Sequence, residues 1–307
     1  MADSLTGFLF ENHVAHGAFV ELSAGVGEML GHRDYGADVR RLIGEAMAAM
    51  PLLATHLRFD GRINLQFQGD GGRCGRRRLD DGSEAADRPH MSLLVAQIDQ
   101  HLHLRGMAKA SPGLAGSFQE LLYGGLLALL LEPNGSERPA SQALVLIEGQ
   151  RLSDALESYF AQSEQLPTLI RLAADGDRLR GFMLQRLPQE HTRATDEDWE
   201  RLRMLASTLD ERELLGANAT TLLRRLFADE ELRLFAPRPV TVACRCSRSG
   251  ISTMLLSLGV DEVQSIVAEQ GEVEVTCEFC GRAYTFTPAE VSGLFAAAAA
   301  QPQETRH

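Results

Sequence analysis

Two cysteine pairs near the C-terminus constrain this chain most. They are Cys244-Arg-Cys246 and Cys277-Glu-Phe-Cys280, with residues 247–276 between them. Four thiolates at such spacing suit a tetrahedral Zn²⁺, which accepts sulfur at about 2.3 Å. The segment around them has few large apolar residues. Bound zinc can supply the missing stability, on the order of 10–16 kcal/mol in structural sites. The spacing therefore predicts a metal centre at Cys244, Cys246, Cys277 and Cys280, with one Zn²⁺ per chain. By itself such a motif favours a zinc that only holds its unit together. The C-x-C half is less usual for an inert ribbon and leaves thiol chemistry open. A fifth cysteine, Cys74, stands alone.

Disulfide-rich secreted scaffolds fit poorly. Five cysteines are few among 307 residues. The first residues show no basic region followed by an apolar run, so no secretory signal is expected. No run of about 18 uncharged apolar residues occurs, so no membrane span is expected either. A cytoplasmic chain follows as the expectation. Its net charge of -12 disfavours a protein built to grip nucleic-acid phosphates. Lysine occurs once, at Lys109.

The pattern predicts an α+β fold. Residues 1–188 read as a mixed sheet-and-helix domain. Strands are expected at Ala18 to Leu22, around Ile63, Leu65 and Phe67, at Leu93 to Ile98, Leu102 to Gly106, Leu126 to Leu131 and Ala143 to Ile147. A hairpin is expected around Asp175-Gly176. Apolar residues at helical spacing predict a helix over 37–50, stopping before Pro51. A second helix is expected from a Ser153 cap, carrying Leu156, Tyr159 and Phe160.

Residues 189–239 change character, with eleven acids and eight arginines. Thr195 and Asp198 resemble a capping box. Trp199, Leu202, Leu205 and Leu209 form one apolar stripe. Leu222, Leu223, Leu226 and Phe227 form another. Such amphipathic helices need a partner surface, and the region reads as a helical linker. Residues 240–299 form the small zinc unit. It is expected to hold two helices, a hairpin of Val273, Val275, Tyr284 and Phe286, and a last helix opened by Thr287, Pro288 and Glu290. Residues 300–307 read as a disordered tail.

Other candidates are weaker. The Gly69–Gly75 loop lacks a P-loop pattern and reads as a turn. His101 and His103 are expected to alternate along a strand as solvent-facing residues, not a metal pair, and His13 and His16 have the same status. Ser163-Glu164-Gln165 reads as a helix end.

Cys244-Arg-Cys246-Ser247-Arg248 and Cys277-Glu-Phe-Cys280-Gly281 together resemble the redox-regulated 33-kDa chaperonin family. Glu269-Gln-Gly271-Glu272 is similar too. So is Tyr159-Phe-Ala-Gln-Ser163-Glu164-Gln165-Leu-Pro167-Thr168. Leu184-Gln185-Arg-Leu-Pro188 and Leu65-Gln-Phe-Gln68-Gly69-Asp70-Gly71 extend the likeness to about residues 8–295. The basic loop Gly72-Arg-Cys74-Gly-Arg76-Arg77-Arg78 departs from it, and Cys74 has no counterpart in the family's switch.

The resemblance implies an N-terminal chaperone domain, a metastable helical linker and a C-terminal redox switch. It implies a heat-shock and oxidative-stress holdase of the bacterial cytosol that uses no ATP and is not an enzyme. When reduced, four thiolates hold zinc and the chaperone is off. Oxidation forms disulfides, which the resemblance places at Cys244–Cys246 and Cys277–Cys280. Zinc is lost, the switch and linker unfold, and the active form is a homodimer that binds unfolding clients. Trp199, Leu202, Leu205, Leu222, Leu223 and Leu226 are then the client-binding candidates, because exposed apolar stripes bind other apolar chains.

Two rivals belong to other classes. A zinc ribbon that binds nucleic acid or protein is disfavoured as a nucleic-acid module by four arginines against eight acids in residues 240–307. A thiol–disulfide oxidoreductase using Cys277 and Cys280 needs its C-x-x-C between a strand and a helix. Here a hairpin is expected instead.

Overall fold

The computed structural model of the chain describes residues 3–56, 60–69, 89–134, 140–188 and 195–300. The expectations for Cys74, the loop beyond Gly69 and residues 301–307 of the tail fall outside these residues, while Ala300, expected to open the tail, is the last residue of a helix instead. The chain divides into two units, Met1–Ala243 and Cys244–His307.

The first unit opens with strands β1 (Ser4–Phe10) and β2 (Ala15–Leu22), then helices α1 (Val26–Leu30) and α2 (Ala37–His56). Strands β3 (Gly61–Gly69), β4 (Met91–Asp99) and β5 (His103–Ala110) follow, with helix α3 (Phe118–Leu121) and strands β6 (Gly125–Pro133) and β7 (Ser141–Val145). Helix α4 (Leu152–Tyr159) leads to the hairpin β8 (Thr168–Asp175) and β9 (Arg178–Arg186). Helices α5 (Asp196–Ser207), α6 (Glu211–Gly216) and α7 (Ala219–Leu226) come next, then the short strands β10 (Leu232–Leu234), β11 (Arg238–Pro239) and β12 (Thr241–Val242). The architecture is α+β, as the sequence predicts.

The strands make two sheets. One has the order β10-β1-β2-β9-β8, with β11 also on β1. The other runs β12-β5-β4-β3-β6-β7. Helix α2 packs against strands of both. From Ala46 to Leu53 every residue is buried, as expected of a helix that is apolar all round. Gly106 on β5 allows this approach, because a Cβ there would lie 2.6 Å from Met47 Cγ.

Three local expectations need correction. Helix α2 does not stop before Pro51 but continues through it to His56. An interior proline costs about 3 kcal/mol. Burial of Leu52 and Leu53 beyond it, each 1% exposed, offsets that cost. Ser153 does not cap α4 but lies inside it, buried. Asp154 reaches back instead, its carboxylate accepting from the Gln150 and Arg151 backbone N–H at 2.7 and 3.1 Å. His101 is not on a strand. It sits in the β4–β5 turn, where Leu102 takes φ 59°.

Helices α5–α7 cover one face of the first sheet. Trp199, Leu202, Ala206, Leu209, Leu214, Leu222, Leu223, Leu226 and Phe227 join Phe8, Phe10, Phe19, Phe182 and Leu184 in one apolar cluster. The expected capping box opens α5. Thr195 Oγ1 accepts from the Asp198 N–H at 3.2 Å, and the Asp198 carboxylate accepts from the Thr195 N–H at 2.9 Å. The outward sides carry ion pairs, including Arg203 with Glu200 at 2.8 Å and Arg201 with Glu230 at 3.2 Å.

The second unit holds helices α8 (Arg248–Leu258) and α9 (Val260–Gln270), the hairpin β13 (Val273–Thr276) and β14 (Ala283–Phe286), and helix α10 (Pro288–Ala300). Its buried core is small: Leu255, Val263, Val273, Tyr284, Phe286 and Val291. Thr287 and Glu290 cap α10 reciprocally, as expected. No single helix among the described residues is long and apolar enough to cross a membrane.

Candidate metal centre

Cys244 and Cys246 lie on the segment that enters α8. Ser247 caps that helix, its hydroxyl accepting from the Gly250 N–H at 3.1 Å. Cys277 and Cys280 occupy the turn joining β13 to β14. There the Cys277 N–H donates to the Arg282 carbonyl at 2.9 Å, and the Gly281 N–H to the Cys277 carbonyl at 2.8 Å. Gly281 takes φ 70°, a left-handed conformation that glycine adopts without a Cβ penalty. A tight turn can thus aim both of its sulfurs at one point.

The four sulfurs gather within 4.8 Å of one another. Cys244 Sγ lies 3.6 Å from Cys277 Sγ, and Cys246 Sγ lies 3.5 Å from Cys280 Sγ. Each of these contacts joins one half of the motif to the other. A tetrahedron with 2.3 Å metal–sulfur bonds has edges of about 3.8 Å. The residues therefore fit a four-coordinate thiophilic ion. All four cysteines are free thiols and half-buried.

Their surroundings divide them electrostatically. Burial pushes the Cys244 thiol up. Burial also pushes Cys280 up, to about 12. For Cys246 burial acts in the same direction, but hydrogen bonds with Tyr284 and the neighbouring sulfurs outweigh it and bring the thiol down to about 7. Tyr284 Oη lies 3.2 Å from Cys246 Sγ. The sequence placed Tyr284 only as an alternating strand residue. The signal for more was a tyrosine where phenylalanine would pack, because a buried phenol needs a hydrogen-bond partner.

The structure places the other candidate residues as follows. Trp199, Leu202, Leu222, Leu223 and Leu226 are buried against the first sheet, while Leu205 is 36% exposed. His103 Nδ1 lies 3.1 Å from Asp99 Oδ2. Among the described residues, the four cysteines are the one group of histidine, cysteine and carboxylate ligands placed to share an ion. His16 hydrogen-bonds Gln185 at 3.2 Å. Glu164 ends the helical turn Phe160–Glu164 that follows α4, with Gln165 at φ 56° closing it, and accepts from the Tyr159 hydroxyl at 2.9 Å.

A two-sheet α+β unit followed by a small four-cysteine unit defines a thiol-bearing, metal-capable protein of a known kind. The family model described as Hsp33 protein matches residues 3–76 and 84–287. The chain belongs to the Hsp33 family of chaperones. It is 39% identical over 307 residues to the 33 kDa chaperonin of Nitrosococcus oceani, covering 99% of each chain. It is 38% identical to the 33 kDa chaperonin of Shewanella loihica, covering 95% of this chain and 96% of that one. The crystal structure of the 33 kDa chaperonin (heat shock protein 33 homolog) from Thermotoga maritima shares the fold. Its TM-score is 0.75 at 19% identity, covering 97% of this chain and 99% of that one.

Proposed function

We propose that this chain is a redox-regulated, ATP-independent holdase that captures unfolding proteins under oxidative and heat stress. The observation that carries the reading is the cluster of four free thiols within 4.8 Å, in a chain of a chaperone family. Cys244, Cys246, Cys277 and Cys280 would hold Zn²⁺. The ion would supply a tetrahedral centre that keeps the sulfurs as thiolates and ties the C-x-C segment to the hairpin turn.

Thiolates are the form that oxidants attack. Disulfides within each pair, Cys244 with Cys246 and Cys277 with Cys280, would withdraw all four donors. The second unit then keeps only its small apolar core. A core this small rarely holds a unit together without a metal or another staple. The family resemblance extends this loss to helices α5–α7. Their stripe of Trp199, Leu202, Leu222, Leu223 and Leu226, buried in the reduced form, would become client-binding surface together with Leu205. The active state is read as a cytoplasmic homodimer with no chemistry of its own toward the client.

Light scattering of a thermally unfolding client tests this. Peroxide-treated chain without ATP should suppress aggregation at near-stoichiometric ratios, and reduced zinc-loaded chain should not. Equal inactivity of both forms, with zinc retained, would leave a structural metal site and overturn the reading.

A further inference from the structure

Tyr284 stands on β14 at 9% exposure, facing the buried side of the hairpin with Phe286. A phenylalanine would provide the same packing. The hydroxyl adds a polar group, and it spends its proton on Cys246 Sγ at 3.2 Å. The Arg282 guanidinium charge acts on the same phenol. A cation beside a phenol favours release of its proton toward an acceptor, here the sulfur.

We propose that Tyr284 is a positioning residue that restrains the oxidation of Cys246 and so sets how readily the cysteine switch trips. The inference rests on the redox-switch reading above. The step it restrains is attack of the thiolate lone pair on a hydroperoxide. A sulfur–oxygen bond forms, the O–O bond breaks, and hydroxide or alkoxide leaves and takes a proton from water. A second thiolate then displaces hydroxide from the sulfenic sulfur to form the disulfide, and that hydroxide is protonated as well. Two thiolates give up two electrons and the peroxide gains them.

In the zinc-loaded form the ligands are already thiolates, so the hydrogen bond acts on nucleophilicity and not on thiolate fraction: the phenol proton draws on the lone pair that must attack. Thiolate nucleophilicity follows basicity with a slope of about 0.4–0.5. Loss of a charge-assisted hydrogen bond of ordinary strength then raises the rate about threefold to tenfold. Partners that orient a metal ligand also support its affinity, by about tenfold or more.

The test uses the full chain, reduced and loaded with one equivalent of Zn²⁺, as wild type, Tyr284→Phe and Arg282→Gln. Peroxide-driven zinc release is followed with a chromogenic chelator. The thiolate-to-metal charge-transfer band is recorded on the Co²⁺-loaded forms. Tyr284→Phe should release zinc threefold to tenfold faster and shift the band to lower energy, while the loaded form still folds and holds one equivalent of the ion. Arg282→Gln should change both in the same direction by a smaller factor. It leaves the ring in place and decides the matter if Tyr284→Phe fails to hold metal. Wild-type rates and an unmoved band in the variants would overturn the proposal while leaving the switch intact. A wild-type chain that keeps its zinc under peroxide would overturn the switch reading and the proposal with it.

Discussion

Phe227, just past the end of α7, meets Phe10 of β1 edge-on, with ring centroids 5.0 Å apart and planes at 89°. Phe8 closes the group, 6.5 Å from Phe227 and stacked on Phe182 at 5.9 Å. Helices α5–α7 are thus clamped to the sheet by ring packing as well as by leucines. Phe227→Ala should loosen them by about 3–5 kcal/mol, the usual cost of a buried aromatic truncation. Trp199 is the chain's single tryptophan and lies in this cluster. Its fluorescence should shift at a lower temperature in the variant, and reduced protein should gain some capture of unfolding client. An unmoved Trp199 transition would contradict the clamp.

The capping box at the start of α5 carries a smaller share. Thr195→Ala removes the acceptor for the Asp198 N–H and one donor to the Asp198 carboxylate. A lost cap costs about 1 kcal/mol. The Trp199 transition should fall by a few degrees, with zinc content unchanged. A variant that melts like wild type would show that α5 is held by packing alone.

Glu45 of α2 sets a pH dependence. Burial, opposed by the Arg41 and Arg151 charges and reinforced by Glu211 of α6, raises its carboxyl to about 7. Arg151 also pairs with Glu211 at 3.5 Å. In the unfolded chain the group titrates near 4.5. Between those values the folded state holds the extra proton, so stability is full below about 4.5 and is lost as pH rises through about 7. The loss is at most about 3 kcal/mol. Glu45→Gln should flatten this stretch of the profile and be the more stable form at pH 8. A wild-type profile flat from pH 4.5 to 7.5 in denaturant titrations would contradict it.

Cys277→Ser and Cys280→Ser each remove one of four sulfur donors. Zinc should be held far more weakly, and far-ultraviolet circular dichroism should show the helices of the second unit lost first. The strands and α2 of the first unit should keep their transition. Chelator treatment of the wild type should do the same. Stoichiometric zinc at full affinity in both variants would mean that the ligands are elsewhere.

Much of this was legible in the sequence for physical reasons. Alternation at Ile63, Leu65 and Phe67 has one meaning once a sheet face must be buried. The paired cysteines could be grouped because few other arrangements bring four thiols together. Pro51 misled because local cost was visible while the burial that offsets it, around Leu52 and Leu53, comes from two sheets distant in sequence. Strands β10, β11 and β12 are two or three residues long, too short to carry a period. Asp154 outcompeted Ser153 as a cap through a reach that only the bent segment before α4 creates. The phenol of Tyr284 could be seen to need a partner, but only the folded hairpin shows that the partner is Cys246.

One sample can test the central claim, that cysteine oxidation controls exposure of the client-binding helices. Zinc-loaded chain, peroxide and a thermally unfolding client are mixed. Chromogenic zinc release, Trp199 fluorescence and light scattering are followed together. The account predicts that zinc release comes first, that the Trp199 signal then shifts, and that scattering is suppressed in step with that shift. Suppression of scattering with zinc retained and Trp199 unchanged would contradict it.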